Sequence, residues 1–200
     1  MAATRARLAC LARVLWLVSL ASGASAAGDV EAGRARAQAC AGCHGEHGVS
    51  TLPGAPSLAG QTDQFLQWQL VFFRSGRREN PLMSPMAAEL SDEEIRNLGA
   101  YFASLPKFGP PDPVSVDPAL RARGQEVASK HNCANCHMDD FHGKNAAANV
   151  ADQREDYLAK ALADYRSAAR PSTGVAAMTE AAAGLSDDDI KALAHFLASL

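Results

Sequence analysis

The sequence contains "CAGCH" at residues 40–44 and "CANCH" at residues 133–137, one five-residue unit written twice. Two cysteines three positions apart in a local turn can both reach one small planar object. A histidine directly after them can bind a metal lying beside that turn. This is the attachment pattern for haem c, in which the thiols bond the vinyl groups and the histidine takes the iron. A redox dithiol or half of a zinc site can also begin with CxxC. A zinc site, however, would need both pairs to converge from separate parts of the chain, each with a histidine attached. The pattern therefore points to two covalent haem groups, held by Cys40 and Cys43 with His44, and by Cys133 and Cys136 with His137.

The rest of the chain repeats with the motif. "LAGQTDQFLQWQL" (58–70) returns as "VADQREDYLAKAL" (150–162), and "ELSDEEIRNLGAYFASL" (89–105) returns as "GLSDDDIKALAHFLASL" (184–200). The offsets are 92 and 95, and the cysteines are offset by 93. Order is kept while the offsets drift, as in a duplication with small loop insertions. Between the copies lies "PKFGPPDPVSVDP", which holds five of the ten prolines. Proline lacks a backbone donor and restrains the residue before it, so this stretch reads as an extended linker. The predicted organisation is one domain over 27–106, a linker over 107–117 and a second domain over 118–200.

Residues 1–26 stand apart. Arg5, Arg7 and Arg13 precede the apolar run "VLWLVSLA", and small residues including Ala24 and Ala26 follow. This is the pattern of an export signal cut near Ala26. The run is shorter than the roughly 20 residues that span a bilayer. Cys10 falls within this leader, so all four remaining cysteines belong to the two motifs. Without those three arginines, 16 basic side chains face 22 acidic ones, a net charge of −6 spread evenly over both halves. No basic face for nucleic acid is evident.

Each half is small and needs help to build a core, which a large apolar cofactor would supply. Each also reads as helical. Helices are predicted over 29–39 and 62–75, the second with Phe65, Leu66, Gln69, Leu70 and Phe73 at three/four spacing. The last helix of each half opens on a capping box, Ser91 with Glu94 and, in a weaker form, Ser186 with Asp189. No stretch alternates as a strand.

The second axial ligand decides between electron transfer and an open, reactive iron. Met83 and Met86 are available in the first half, Met138 and Met178 in the second. Met138 adjoins His137 and would have to swing to the opposite side of the same iron, which leaves Met178. Met178 stands eight residues before Ser186, as Met83 does before Ser91, whereas Met86 corresponds to Ala181. The duplication selects Met83 and Met178. His47, His131, His142 and His195 read as solvated or packing residues.

With "GDVEAG", "CAGCHG", "PSLAGQ", "QLVFFRSGRR" and "MSPMAAELSDEEI" in place, the mature chain resembles a bacterial dihaem cytochrome c of the cytochrome c4 type. The resemblance implies an all-α fold, a tandem pair of class I cytochrome c domains joined by the proline-rich linker. It implies a periplasmic carrier of one electron per haem between donors such as a cytochrome bc complex and acceptors such as a terminal oxidase, some of them membrane-associated. Similar dihaem chains serve as the haem subunit of a periplasmic dehydrogenase, for example a flavin-containing sulfide dehydrogenase. A peroxidase or sensor with one open iron would need Met83 or Met178 not to ligate. In such domains the first and last helices cross where glycine faces an aromatic ring, here Gly33 with Tyr101 and Gly124 with Phe196. The second half departs from the family pattern. Ala148 replaces Pro56, whose carbonyl is expected to fix the proximal imidazole, and Asp152 replaces Gly60. Haem two is therefore expected to be held less firmly and to sit at a different potential.

Overall fold

The computed structural model describes residues 27–107, 115–172 and 177–200. The leader with Cys10, Ala24 and Ala26, and most of the proline-rich linker, lie outside the described residues. Among the described residues every regular element is helical. The first half holds α1 (Val30–Ala37), α2 (Ala41–His44), α3 (Asp63–Arg74), α4 (Met83–Ala88) and α5 (Asp92–Ser104). The second holds α6 (Pro118–Lys130), α7 (Ala134–His137), α8 (Glu155–Arg166), α9 (Ala177–Ala182) and α10 (Asp187–Ala198).

Local chemistry sets the ends of these helices. Asp29 caps α1 by accepting from the Glu31 and Ala32 N–H groups. Asp117 does the same for α6, with Pro118 in the first turn where its missing N–H costs nothing. Pro118 thus belongs to the helix rather than to the linker. The first helix stops at Ala37, short of the expected 39, because a 3-10 turn at Gln38–Cys40 leads into the CxxCH unit. Both capping boxes form: Ser91 with Glu94 on α5 and Ser186 with Asp189 on α10. The shorter aspartate reaches back as the glutamate does.

Each half has its own apolar core. Leu66, Ile95, Leu98, Tyr101 and Phe102 centre the first. Leu158, Leu162, Leu185, Ile190, Leu193, Phe196 and Leu197 centre the second. Burying each such side chain contributes about 1.5–3 kcal/mol. α1 packs on α5, and α6 on α10, at the expected glycines. A side chain on Gly33 would overlap the Asn97 carbonyl and Tyr101, and one on Gly124 would overlap the Ala192 carbonyl and Phe196.

The two halves meet through an exchange that follows the duplication. The Gln61 side chain donates to the Asn149 carbonyl at 2.9 Å and accepts from the Asn149 N–H at 2.6 Å. Its counterpart Gln153 donates to the Ser57 carbonyl at 2.9 Å and accepts from the Ser57 N–H at 2.8 Å. Gln61 and Gln153 are equivalent residues, as are Ser57 and Asn149, each pair 92 apart. The seam is thus self-complementary, in the manner of a two-fold dimer interface drawn into one chain.

Candidate haem sites

In each half the CxxCH unit folds as a turn ending in a short helix. α2 and α7 both end on the histidine. The next residue reverses the chain with positive φ, Gly45 at 81° and Met138 at 66°. No disulfide joins these cysteines among the described residues, where Cys43 and Cys136 are exposed and Cys40 and Cys133 half-buried. Burial pushes the Cys40 and Cys133 thiols up from their ordinary value. Neither of those two shifts marks an activated thiolate. Nor do three or more His, Cys, Asp or Glu side chains converge as a metal cluster among the described residues.

His44 and His137 are both buried, at 6% and 8% exposed. His44 Nδ1 lies 2.8 Å from the Pro56 carbonyl, and His137 Nδ1 lies 2.8 Å from the Ala148 carbonyl. A carbonyl can only accept, so Nδ1 carries the proton and Nε2 presents a lone pair. This is the orientation a metal-bound histidine takes from its outer partner. Burial holds both imidazoles below their ordinary pKa and thus neutral. Alanine serves as well as proline as acceptor at this distance.

On the opposite side, His137 Nε2 faces Met178 Sδ at 3.5 Å. α9 carries Met178, and the Thr179 N–H and hydroxyl are held by Ser172 Oγ, each at 3.0 Å. In the first half Met83 opens α4, its N–H held by Asn80 Oδ1 at 2.9 Å. No hydrogen bond joins His44 to Met83 among the described residues. Met86 and Met138, the passed-over candidates, are exposed. Free thiols beside a neutral, carbonyl-anchored imidazole, with a thioether across from one of them, form a donor set that fits haem c in type and order.

The other histidines play different parts. His47 is exposed. His142 Nδ1 lies 3.3 Å from Asn149 Oδ1, and His131 caps the end of α6. His195 is buried, its Nε2 accepting from the Asp117 N–H at 3.0 Å while Nδ1 meets Glu155 at 3.1 Å. It pins the start of α6 to α8 and α10, a packing role with no counterpart at Ala100.

The proximal carbonyls sit beside the seam. Pro56 precedes Ser57 and Ala148 precedes Asn149, so the segment that orients each imidazole is also gripped by the other half's glutamine. The linker gave no hint of this docking. Its trace in the sequence was the glutamine, kept with one alanine between "SLAGQ" and "NVADQ".

The comparisons agree with this geometry. Residues 121–200 match the family model described as "Cytochrome c", and residues 28–102 match "Cytochrome C oxidase, cbb3-type, subunit III". Cytochrome c4 of Thiocapsa roseopersicina is 35% identical over 86% of this chain and 93% of its own length. A thiosulfate dehydrogenase electron acceptor from Stutzerimonas stutzeri (strain A1501) is 33% identical over 82% of this chain and 80% of its own. The crystal structure of reduced recombinant cytochrome c4 from Pseudomonas stutzeri superposes with a TM-score of 0.79. It is 31% identical and covers 87% of this chain and all of that one. With two cytochrome c domains and two covalently bound haem c groups, the chain belongs to the cytochrome c4 family of electron-transfer proteins.

Proposed function

We propose that Cys40 and Cys43 anchor one haem with His44 and Met83 as axial ligands, and that Cys133 and Cys136 anchor the other with His137 and Met178. The observation that carries this reading is the His137 Nε2 to Met178 Sδ approach of 3.5 Å, on an imidazole whose Nδ1 is already committed to Ala148. The equivalent position of Met83 extends the assignment to the first half. Haem iron supplies one-electron ferric/ferrous chemistry, and histidine with methionine is the ligand pair of electron carriers. The chain's part is to keep the ligands from moving. Carbonyl-anchored imidazoles and methionine loops pinned by Asn80 and Ser172 hold one geometry through the redox change.

The domains run over 27–106 and 118–200, joined by 107–117, with 1–26 as an export signal that sends the protein to the periplasm. No helix among the described residues is long and apolar enough to cross a membrane. The chain takes one electron per haem from a donor such as a cytochrome bc complex and delivers it to an acceptor such as a terminal oxidase. A second reading, an electron-accepting subunit for a periplasmic dehydrogenase, is favoured by the similarity to a thiosulfate dehydrogenase electron acceptor. A dehydrogenase that co-purifies stably would select it.

Visible spectroscopy of the oxidised protein tests the ligation. Met83→Ala and Met178→Ala should each remove half of the weak red charge-transfer band and let carbon monoxide bind the reduced iron without denaturation. Met86→Ala should do neither. Retention of the full band in Met178→Ala would overturn the assignment.

A further inference from the structure

Between its CxxCH turn and α8, the second half carries three polar side chains that the first half lacks. His142 stands where the first half has Val49, Asn149 where it has Ser57, and Asp152 where it has Gly60. The backbone fixes this equivalence: the Leu58 N–H meets the Gly48 carbonyl at 2.7 Å, and the Val150 N–H meets the Phe141 carbonyl at 2.9 Å. Of the three first-half residues, none titrates.

The docked halves gather these residues round a small cavity. His142, Asn149 and Asp152 line it from the second half, and Ser57, Gln61 and Lys107 from the first. Its volume is about 10 Å³, room for roughly one water. The Lys107 chain lies over Gly60, where an added side chain would overlap it.

Hydrogen bonds set the state of the imidazole. Asn149 Nδ2 donates to the Gly60 carbonyl at 3.3 Å, and Asn149 Oδ1 accepts from the Ala151 N–H at 3.1 Å. That oxygen also lies 3.3 Å from His142 Nδ1, so Nδ1 carries the proton and Nε2 of the neutral ring keeps a lone pair. Asp140 accepts from the His142 N–H at 3.0 Å. That bond first, and the charges of His142 and Lys107 after it, hold Asp140 below the usual carboxylate range. Burial pushes the Asp152 carboxyl up, and a charge on His142 draws it back. The groups around His142 are thus two carboxyls, Asp140 on its own loop and Asp152 ahead of α8, and one ammonium, Lys107 past the end of α5.

This cluster is joined to the proximal side of haem two. Asn149 follows Ala148, whose carbonyl accepts from His137 Nδ1 at 2.8 Å. Gly143, next to His142, donates its N–H to the His137 carbonyl at 2.9 Å. His142 is therefore tied on both flanks to the segment that orients the His137 imidazole.

We propose that His142, with Asp152 beside it, is a redox-linked proton site for haem two, binding a proton when the iron is reduced and releasing it when the iron is oxidised. This rests on the two-haem reading above. An arriving electron adds one negative charge, and His142 Nε2 takes one proton from solvent to offset it. When the electron leaves for the acceptor, that proton returns to solvent. Imidazole is the side chain whose charge changes between about pH 5 and 8. Asp152 favours the imidazolium and Lys107 opposes it.

The expected sign follows from linkage: protonation favours the reduced iron by the factor with which reduction favours the proton. Lowering the pH from about 8 to about 5 should raise the reduced-to-oxidised ratio of haem two about fivefold at fixed ambient potential. Haem two is identified as the one whose midpoint Met178→Ala displaces. His142→Gln keeps a donor for Asn149, and His142→Val supplies the first half's residue; each should lose most of that response. Asp152→Gly, which also relieves a φ of 55°, should keep the response but move it to lower pH. In a second measurement, nuclear magnetic resonance titration should show the parent's His142 holding its proton about fivefold more tightly in the reduced protein than in the oxidised one. Its signal is the one missing from either His142 variant.

Haem content is measured in every sample. A response of equal size in the parent and the His142 variants would overturn the proposal. So would a His142 proton affinity that ignores the redox state, or an Asp152→Gly response that stays in place. Should one His142 variant lose haem, the other decides. Fewer than two haems in the parent protein would instead overturn the haem reading itself.

Discussion

Gln61 and Asn149 exchange a reciprocal pair of hydrogen bonds, side chain to backbone, across 88 residues of sequence. Both are buried, so neither backbone group has water to fall back on. Gln153 and Ser57 make the mirror-image exchange. Truncating either glutamine leaves a donor and an acceptor unpaired inside the seam. Gln61→Ala and Gln153→Ala should each cost roughly 2–4 kcal/mol of interdomain stability. Thermal unfolding followed by circular dichroism should then show two separated transitions, one per domain. A single transition at the parent temperature would mean that the seam contributes little.

The halves share a backbone but not the residues suited to it. Gly45, Gly48, Gly60 and Gly76 all have positive φ, and their equivalents Met138, Phe141, Asp152 and Ala168 adopt positive φ as well. L-residues enter that region at a cost of about 1–2 kcal/mol each. Phe141 recovers some of it by packing edge-on against Phe196, with ring centroids 5.5 Å apart. Ala168, exposed just past the end of α8, has no such return. Ala168→Gly should stabilise the second domain by about 1 kcal/mol, net of the added freedom of the unfolded chain. Gly76→Ala should destabilise the first by about as much. Urea unfolding, with the midpoint read at each domain's own haem band, checks both signs.

Much of this was legible in the sequence. The haem motifs and the helix starts at Ser91 and Ser186 rest on short-range rules or on the repeat, and the glycine crossings at Gly33 and Gly124 on the family resemblance. The choice of Met83 over Met86 rests on register alone, and the structure puts Met86 on the surface. Two features were not readable. The seam depends on Gln61 and Gln153 meeting backbone segments far away in sequence, and the glutamine that the repeat keeps does not say what it meets. The strain of the second half was only partly visible. Gly60 to Asp152 stood out as a departure, but the shared positive φ follows from loops whose geometry the motif does not specify. The loss of Pro56, by contrast, left no trace in distance: Ala148 accepts from His137 at the same 2.8 Å.

Those differences bear on the expectation that the irons sit at different potentials. The imidazole anchors match, so that expectation rests on the frame behind them and on the unequal sides of the seam. Gln69 has no counterpart, since Ala161 occupies its equivalent position, and both Arg78 and Arg170 bond to it. A pseudo-symmetric pair of cations is thus served by one asymmetric acceptor.

Charge also fixes how each terminal helix is held, and it predicts a response to acid. The Glu94 carboxylate accepts from the Ser91 N–H at 2.8 Å and from Arg36 Nε at 2.8 Å, tying the start of α5 to α1. Its hydrogen bonds with Ser91 come first and the Arg36 charge after them in holding it below the usual 4.5. A depressed folded-state pKa means that the stabilisation is complete above the unfolded value. It is lost as pH falls through the folded one. Glu94→Gln keeps an acceptor for the capping box but removes the charge that Arg36 and the helix N-terminus use. The parent should therefore melt above Glu94→Gln at pH 7, and the gap should narrow below about pH 4.5 and close once folded Glu94 is protonated. Salt should shrink the gap at pH 7, because Glu94 is solvent-exposed. A gap of constant size across that range would assign the effect to packing rather than to the carboxylate.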